Sequence, residues 1–205
     1  LKEDIDDDVI FVTGFKGFGA IGLITIHHLV RKLGMRRIGI ITARTMPEFS
    51  YADKDGFGGP FELYYSKEHK ILALLNRELP PVNIRVDFAK ALAKFLTKAI
   101  RLKYAILVGG LDKRFKEEGV DIKLAYSSTY RGPKLEDKLM EEWLYVIGPL
   151  ALLMIVFEEY GVPSILLLPY SEIDRPDPIG AAIAIQRISK LIGVKIDVSE
   201  LYEES

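Results

Sequence analysis

FVTGFKGFGAIGLITIHHLVRKLG, residues 11–34, decides how the rest of the chain is read. Gly17, Gly19 and Gly22 stand in the spacing G-x-G-x-x-G. Before them, VIFVTGF (9–15) is a β-branched and aromatic run that reads as a buried strand. After them a helix is expected over 19–34, with Leu23, Ile26, Val30 and Leu33 as its apolar stripe and Gly34 as its stop. RIGIITAR (37–44) reads as a second buried strand. Strand, glycine turn, helix and strand in that order make a right-handed parallel crossover, the unit of an α/β fold.

The same reading extends outward. TMPEFSYADKDGFGGP (45–60) is a long loop that carries Phe49, Tyr51 and Phe57. FELYYS and KILALLN flank the turn KEH as a β-hairpin. An amphipathic helix follows, with Asn83 as N-cap and Phe88, Leu92, Phe95 and Ala99 as its buried stripe. YAILVGG (104–110) and PSILLLPY (163–170) are buried strands, and VDIKLAYSS (120–128) is a further one. PKLEDKLMEEW reads as a short helix after Pro133. GPLALLMIVFEEYG (148–161) is helical from Pro149, and apolar nearly all round from Leu150 to Phe157, so more than one side should be covered. DPIGAAIAIQRISKLIG (177–193) closes the pattern, its stripe being Ala181, Ile185, Ile188 and Ile192. The expected fold is a single three-layer αβα domain over 1–205, with a mainly parallel central sheet and a β-hairpin insertion.

Composition removes several classes of function. Lys plus Arg is 28 and Asp plus Glu is 29, with no basic run, so nucleic acid is not an expected partner. There is no cysteine, which excludes disulfides, thiolate nucleophiles and Cys-based zinc sites. The longest apolar run, VIGPLALLMIVF, is shorter than the ~20 residues a bilayer span needs. No membrane association is expected, and a cytoplasmic setting is. The acidic stretch EDIDDD (3–8) reads as a solvated lead-in, and the start at Leu1 suggests a missing N-terminal part. One Gln and two Asn beside abundant Lys, Glu and Ile fit a heat-adapted organism.

The chemical signals do not converge. In a dinucleotide site, Gly17, Gly19 and Gly22 would admit a pyrophosphate to a helix N-terminus. The ribose then needs a carboxylate at the end of the second strand, where Thr42, Ala43 and Arg44 stand instead. A tight strand-to-helix turn is therefore the favoured reading of the glycines. A nucleotide- or nucleoside-binding enzyme working beside Gly17, Gly19 and Gly110 is the alternative. His27 and His28 are neighbours and do not share a helix face; His28 is placed on the polar side with Lys32, and His69 in a solvated turn. Ser127 and Ser128 lack a nucleophile elbow, and Asp112 reads as a turn or cap residue. Glu172, Asp174 and Asp177 could be metal carboxylates, but Asp177 before Pro178 more simply starts the last helix. No catalytic residue, cofactor or metal is expected.

Several blocks resemble one family. VTGFKGFGAIGLITIHHLVRKLG, YAILVGGL and the closing run from GPLALLMIVFEEYG to KIDVSEL are similar in order and spacing to the proteasome assembly chaperone 2 family, above all its archaeal homologues. The resemblance implies a nucleoside-phosphorylase-like α/β fold without a catalytic centre. It also implies a homo-oligomer, expected as a ring, that assembles or gates the 20S proteasome through its α-subunits or works with a related chaperone. Some archaeal members end in a hydrophobic–Tyr–any-residue tail that inserts between α-subunits. Leu201, Tyr202 and Glu203 match that pattern as partner-binding residues, but Glu204 and Ser205 follow, whereas such docking requires the free carboxylate directly after the third residue. Unless the tail docks, Leu201 and Tyr202 should pack onto the domain. Subunit contacts are expected at helix 148–160, through Leu152 and Ile155, and at loop 45–60, through Phe49, Tyr51 and Phe57.

Overall fold

The computed structural model describes residues 4–5 and 8–203. Of the acidic lead-in, Glu3, Asp6 and Asp7 lie outside the described residues, while Asp4 and Asp8 are exposed. Eleven strands and five helices follow in the order β1 Val9–Gly14, α1 Ile21–Lys32, β2 Arg36–Ile40, β3 Tyr51–Asp53, β4 Gly56–Gly58, β5 Phe61–Ser66 and β6 Ile71–Asn76. Then come α2 Arg85–Lys98, β7 Leu102–Val108, β8 Leu111–Asp112, β9 Ile122–Tyr126, β10 Lys138–Leu139, α3 Pro149–Glu159, β11 Ser164–Ser171, α4 Pro178–Ile192 and α5 Ser199–Glu203.

The large sheet runs β10-β9-β11-β7-β1-β6-β5-β2, with β8 paired to the end of β11. Its centre is parallel: β6 with β1, β1 with β7, and β7 with β11. Antiparallel pairs flank it, β5 with β6 and β2 on one side and β9 with β11 on the other. Both faces are covered, so the central strands carry unbroken apolar runs rather than alternating ones. Ile10 and Val12 of β1 face the cluster shared with α1, α4 and α5. Val9 and Phe11 face the cluster shared with α2 and α3. The expected three-layer α/β arrangement, mainly parallel and with the β5–β6 hairpin, is the observed one.

Helix α1 lies close on the sheet because two glycines meet. A Cβ on Gly22 would fall 2.5 Å from Phe15 N and 2.8 Å from Gly14 C, and one on Gly14 would fall 2.6 Å from Gly22 Cα. That contact sets the rotation of α1. Ile21, Thr25, Ile26, His28 and Leu29 are buried, while the expected stripe residues Leu23, Val30 and Leu33 are only half-buried.

Other expectations are corrected. β2 is not a central buried strand: it runs in the same direction as β1 but sits at the sheet edge, three places away, paired antiparallel to β5. Asn83 does not cap α2. Its amide donates to Thr45 Oγ1 at 3.3 Å, and the helix starts at Arg85 after a 3₁₀ turn over Val82–Ile84. Ala99 is exposed, and Ala89, Ala93 and Leu96 join Phe88 and Leu92 on the buried face. Residues 133–143 form no helix; they run along the sheet edge, add the two-residue strand β10 parallel to β9, and end in a turn at 142–143. The 45–60 loop holds a small hairpin, β3–β4.

Close packing at Gly22 carries a measurable cost if a methyl group is inserted. Gly22→Ala should lose about 1–3 kcal/mol in urea unfolding, as overpacked sites do. Gly17→Ala, whose Cβ would meet nothing within 4 Å, should stay within about 0.5 kcal/mol of the parent.

Candidate functional site

The glycine turn is filled by the protein itself. Gly19 has φ +60°. The position its side chain would take is occupied by Ser171 Oγ, with Asp177 Cβ at 2.9 Å. Gly19 O accepts a hydrogen bond from Asp177 N at 2.8 Å. Asp177 in turn caps α4, accepting from Gly180 N at 2.9 Å and from Glu172 N at 3.2 Å. The N-terminal end of α1, where a pyrophosphate would sit, therefore faces the 171–177 segment. Gly22 serves helix–sheet packing, as the turn reading expects.

The remaining polar candidates are structural. Asp112 accepts from Arg114 N at 2.9 Å and pairs with its guanidinium, and these bonds hold its carboxyl below the usual range. Glu172 is engaged by Lys113 and by Arg175 at 2.9 Å. Among the described residues no three His, Asp or Glu side chains are grouped to hold a metal ion. Ser128 binds Glu158, and Ser127 Oγ accepts from Ser164 N at 2.8 Å. His28 is buried rather than on the polar side. Its Nε2–H donates to Asp197 O at 2.7 Å, because α1 is turned so that this face meets the C-terminal segment.

A buried carboxylate clasp at the β2–β5 edge has no counterpart in the sequence pattern. Glu62 is fully buried. It accepts from Arg37 at 3.1 Å, Arg77 at 3.0 Å, Tyr51 at 2.8 Å, Tyr64 at 3.1 Å and Gly59 N at 3.2 Å. Arg37 reaches on to Asp53 with two bonds of 2.9 and 3.1 Å. A buried charge needs such compensation. Burial, then the Tyr51 hydroxyl and the Glu62 charge, push the Tyr64 hydroxyl up. The clasp ties hairpin β3–β4 to the sheet through Tyr51 and Asp53. Of the three loop aromatics, Tyr51 is turned into this network, Phe49 packs on its ring at 5.9 Å, and Phe57, in the middle of β4, is 80% exposed.

A second clasp presents an aromatic strip. Lys123, buried within β9, pairs with Glu117 at 2.5 Å and with Glu141; Lys138 pairs with Glu117 and lies 3.5 Å from Glu141. Beyond this anchor the chain turns at 142–143 and continues without regular structure to Gly148 and Pro149, which start α3. Val146 packs inward, while Tyr145 and Ile147 point out. Trp143, at φ +73°, is 83% exposed. On α3, Leu153, Val156 and Phe157 face the sheet, Leu152 is half-buried, and Ile155 is exposed. Trp143, Tyr145, Ile147 and Ile155 are thus exposed apolar groups on two consecutive segments of the chain. The signal in the sequence was the single tryptophan between two glutamates and a Gly-Pro helix start.

The C-terminal segment is folded down. Leu201 of α5 is 3% exposed within the α1–α4 core, and the Tyr202 hydroxyl accepts from Gln186 at 3.2 Å. Glu200 meets Arg31 and, at 3.0 Å, Lys32; Asp197 meets Lys32 at 3.2 Å. Glu203 is exposed. Leu201 therefore has the packing role, and in this conformation it is not offered to a partner.

The Lys123 clasp makes the strip sensitive to acid. Hydrogen bonding from Lys123 lowers the Glu141 carboxyl from 4.5 to about 2. A lowered folded-state value contributes stability above pH 4.5 that is lost as pH falls toward about 2. Fluorescence of Trp143, the only tryptophan, should report an acid transition of the strip in that window. Lys123→Met should move the transition to higher pH.

Among the described residues no helix is long and apolar enough to cross a membrane. No curated protein matches the chain. Among solved structures, Pyrococcus furiosus PbaA, described as an archaeal homolog of proteasome-assembly chaperone, is similar at TM-score 0.85 and 20% identity, over 100% of this chain and 89% of that one. Pyrococcus furiosus PbaB, described as an archaeal proteasome activator, is similar at TM-score 0.81 and 20% identity, over 100% and 92%. A PAC2 family protein from Streptomyces avermitilis MA is similar at TM-score 0.72 and 17% identity, over 96% and 91%. These likenesses concern the fold. The family model for PAC2 matches residues 11–205, nearly the whole described chain with its glycine turn, both clasps and the α3 surface, and the chain belongs to the PAC2 family.

Proposed function

We propose that this chain is a non-enzymatic assembly chaperone or scaffold for the 20S proteasome, working in the cytoplasm as a homo-oligomer. The observation that carries the reading is the pairing of PAC2 membership over residues 11–205 with a surface built for contact rather than chemistry. Trp143, Tyr145, Ile147 and Ile155 stand out from a framework held by buried ion pairs. The likeness to PbaA and PbaB, whose descriptions concern proteasome assembly and activation, supports the choice of partner.

The mechanism is steric and multivalent. Copies of one chain, joined through part of this apolar surface, hold several partner subunits in register, and each linked contact raises the effective concentration of the next. Phe57, on the clasped hairpin at the opposite sheet edge, supplies a second contact point. The tail residues Leu201, Tyr202 and Glu203 enter a partner only after Leu201 leaves the core. The nucleotide-enzyme alternative loses its phosphate cradle, because Ser171 and Asp177 occupy the space beside Gly19.

Pull-down with purified proteasome α-subunits tests the reading. The parent chain should retain them, and Trp143→Ser with Tyr145→Ser should reduce retention at least about tenfold, as loss of aromatic anchors does. No retention by the parent chain would refute it.

A further inference from the structure

The strand order creates a crevice that shares one wall, Tyr145–Ile147, with the strip of the assembly reading. From β1 the chain leaves through α1, on one face of the sheet, toward β2 at one edge. From the adjacent strand β7 it leaves toward β9 and β11 on the other side, and α3 covers the opposite face. Neighbouring parallel strands whose connections diverge in this way leave an opening at their carboxyl ends, and open α/β sheets place ligands there. A cavity of about 250 Å³ occupies that position. It is walled by Phe15–Phe18 after β1, Val108–Leu111 after β7, and Tyr145–Leu150 before and at the start of α3.

The walls have one chemical character. Most are apolar, including Phe15, Leu111 and Leu150. Two cations line the cavity, Lys16 and Arg85, and no carboxylate does. Arg85 Nε donates to Pro80 O at 2.8 Å, and among the described residues no acidic side chain pairs with its guanidinium. Lys16 has only a distant partner, Glu78, at 3.9 Å on the surface. The cavity also abuts the N-terminal end of α3, where Gly148 provides no side-chain cap and the first turn holds no acidic residue. The cavity is separate from the filled side of the glycine turn: a Cβ on Gly17 would meet nothing within 4 Å, whereas the space beside Gly19 is taken by Ser171.

We propose that this crevice binds a small organic monoanion, with its charged head at Lys16 and Arg85 and an apolar body against Phe15, Leu111 and Leu150. The volume suits a single ring or short aliphatic chain and is too small for a dinucleotide. Tyr145 and Ile147 belong to both surfaces, but the charged head is read by Lys16 and Arg85, which the assembly reading does not use, so loss of anion binding and loss of partner retention are distinguishable.

Amide NMR titration of the full chain tests it with three probes of similar body: hydrocinnamate, phenyl phosphate and neutral phenylpropanol. Saturable shifts are expected at the amides of Gly17, Phe18 and Gly110 with one or both anions at millimolar concentration, and the pair of anions tells a carboxylate head from a phosphate head. Arg85→Gln should weaken the bound anion about five- to tenfold, as loss of one close charge contact does. Gly17→Leu, which fills the space, should abolish the shifts. Should Gly17→Leu fail to fold, Lys16→Gln on the exposed wall serves as the second variant and should weaken the anion as Arg85→Gln does. Absence of saturable shifts with both anions would overturn the proposal. So would phenylpropanol binding as tightly as the anions with no change in Arg85→Gln.

Discussion

Gly22 rests against the backbone of Gly14 and Phe15 at distances that leave no room for a methyl group. Much of the molecule depends on that approach. It brings α1 down onto β1, so that Ile21 reaches the bare backbone of Gly180 and α4 packs beside it. It turns His28 toward Asp197 and thereby gives the C-terminal segment a place to dock. It also points the start of α1 at Ser171 and Asp177, which is why a glycine spacing associated with cofactors here closes the helix end with protein. Glycine spacing alone allows close approach; what approaches is decided by the neighbouring elements.

Much of this fold was legible because burial on both sheet faces writes itself as unbroken apolar runs. β1, β7 and β11 were read from such runs, and α3 and α4 from Pro149 and from Asp177 before Pro178. Long-range partners were not legible. β2 looks like a central strand, but its place is set by pairing with β5, and the exposure of Arg36 and Ile40 follows from being at the edge. Residues 133–143 are rich in helix-forming Lys, Glu and Leu, yet Lys123 draws Glu141 into an ion pair that holds the segment extended. That tertiary bond outweighs a weak local preference. His28 is polar by type and buried by a contact 169 residues away.

The two ion clasps share a physical logic. Each centres on a charged group that is almost wholly buried: Glu62 meets Arg37 of β2 and Arg77 after β6, and Arg37 in turn holds Asp53 of the hairpin, while Lys123 meets Glu117 and Glu141. Removing one partner from such an arrangement leaves an uncompensated buried charge, so each clasp ties its loop to the sheet. What lies next to the clasps is apolar: Phe57 on β4 of one loop and the Trp143–Ile147 strip beyond the other. Contact groups held on rigid supports lose little conformational entropy on binding. The candidate surface was therefore half legible, Ile155 and Phe57 from their composition and setting, and Trp143 and Tyr145 only once the Lys123 clasp was seen.

The proposed role requires that this exposed apolar surface be covered in solution. Sedimentation of the chain across the micromolar range measures it directly. The parent should sediment as a multiple of the 23.1 kDa chain mass, and Trp143→Glu with Ile155→Glu should sediment as the single chain with unchanged secondary structure. A parent chain that remains a monomer throughout that range would contradict the claim.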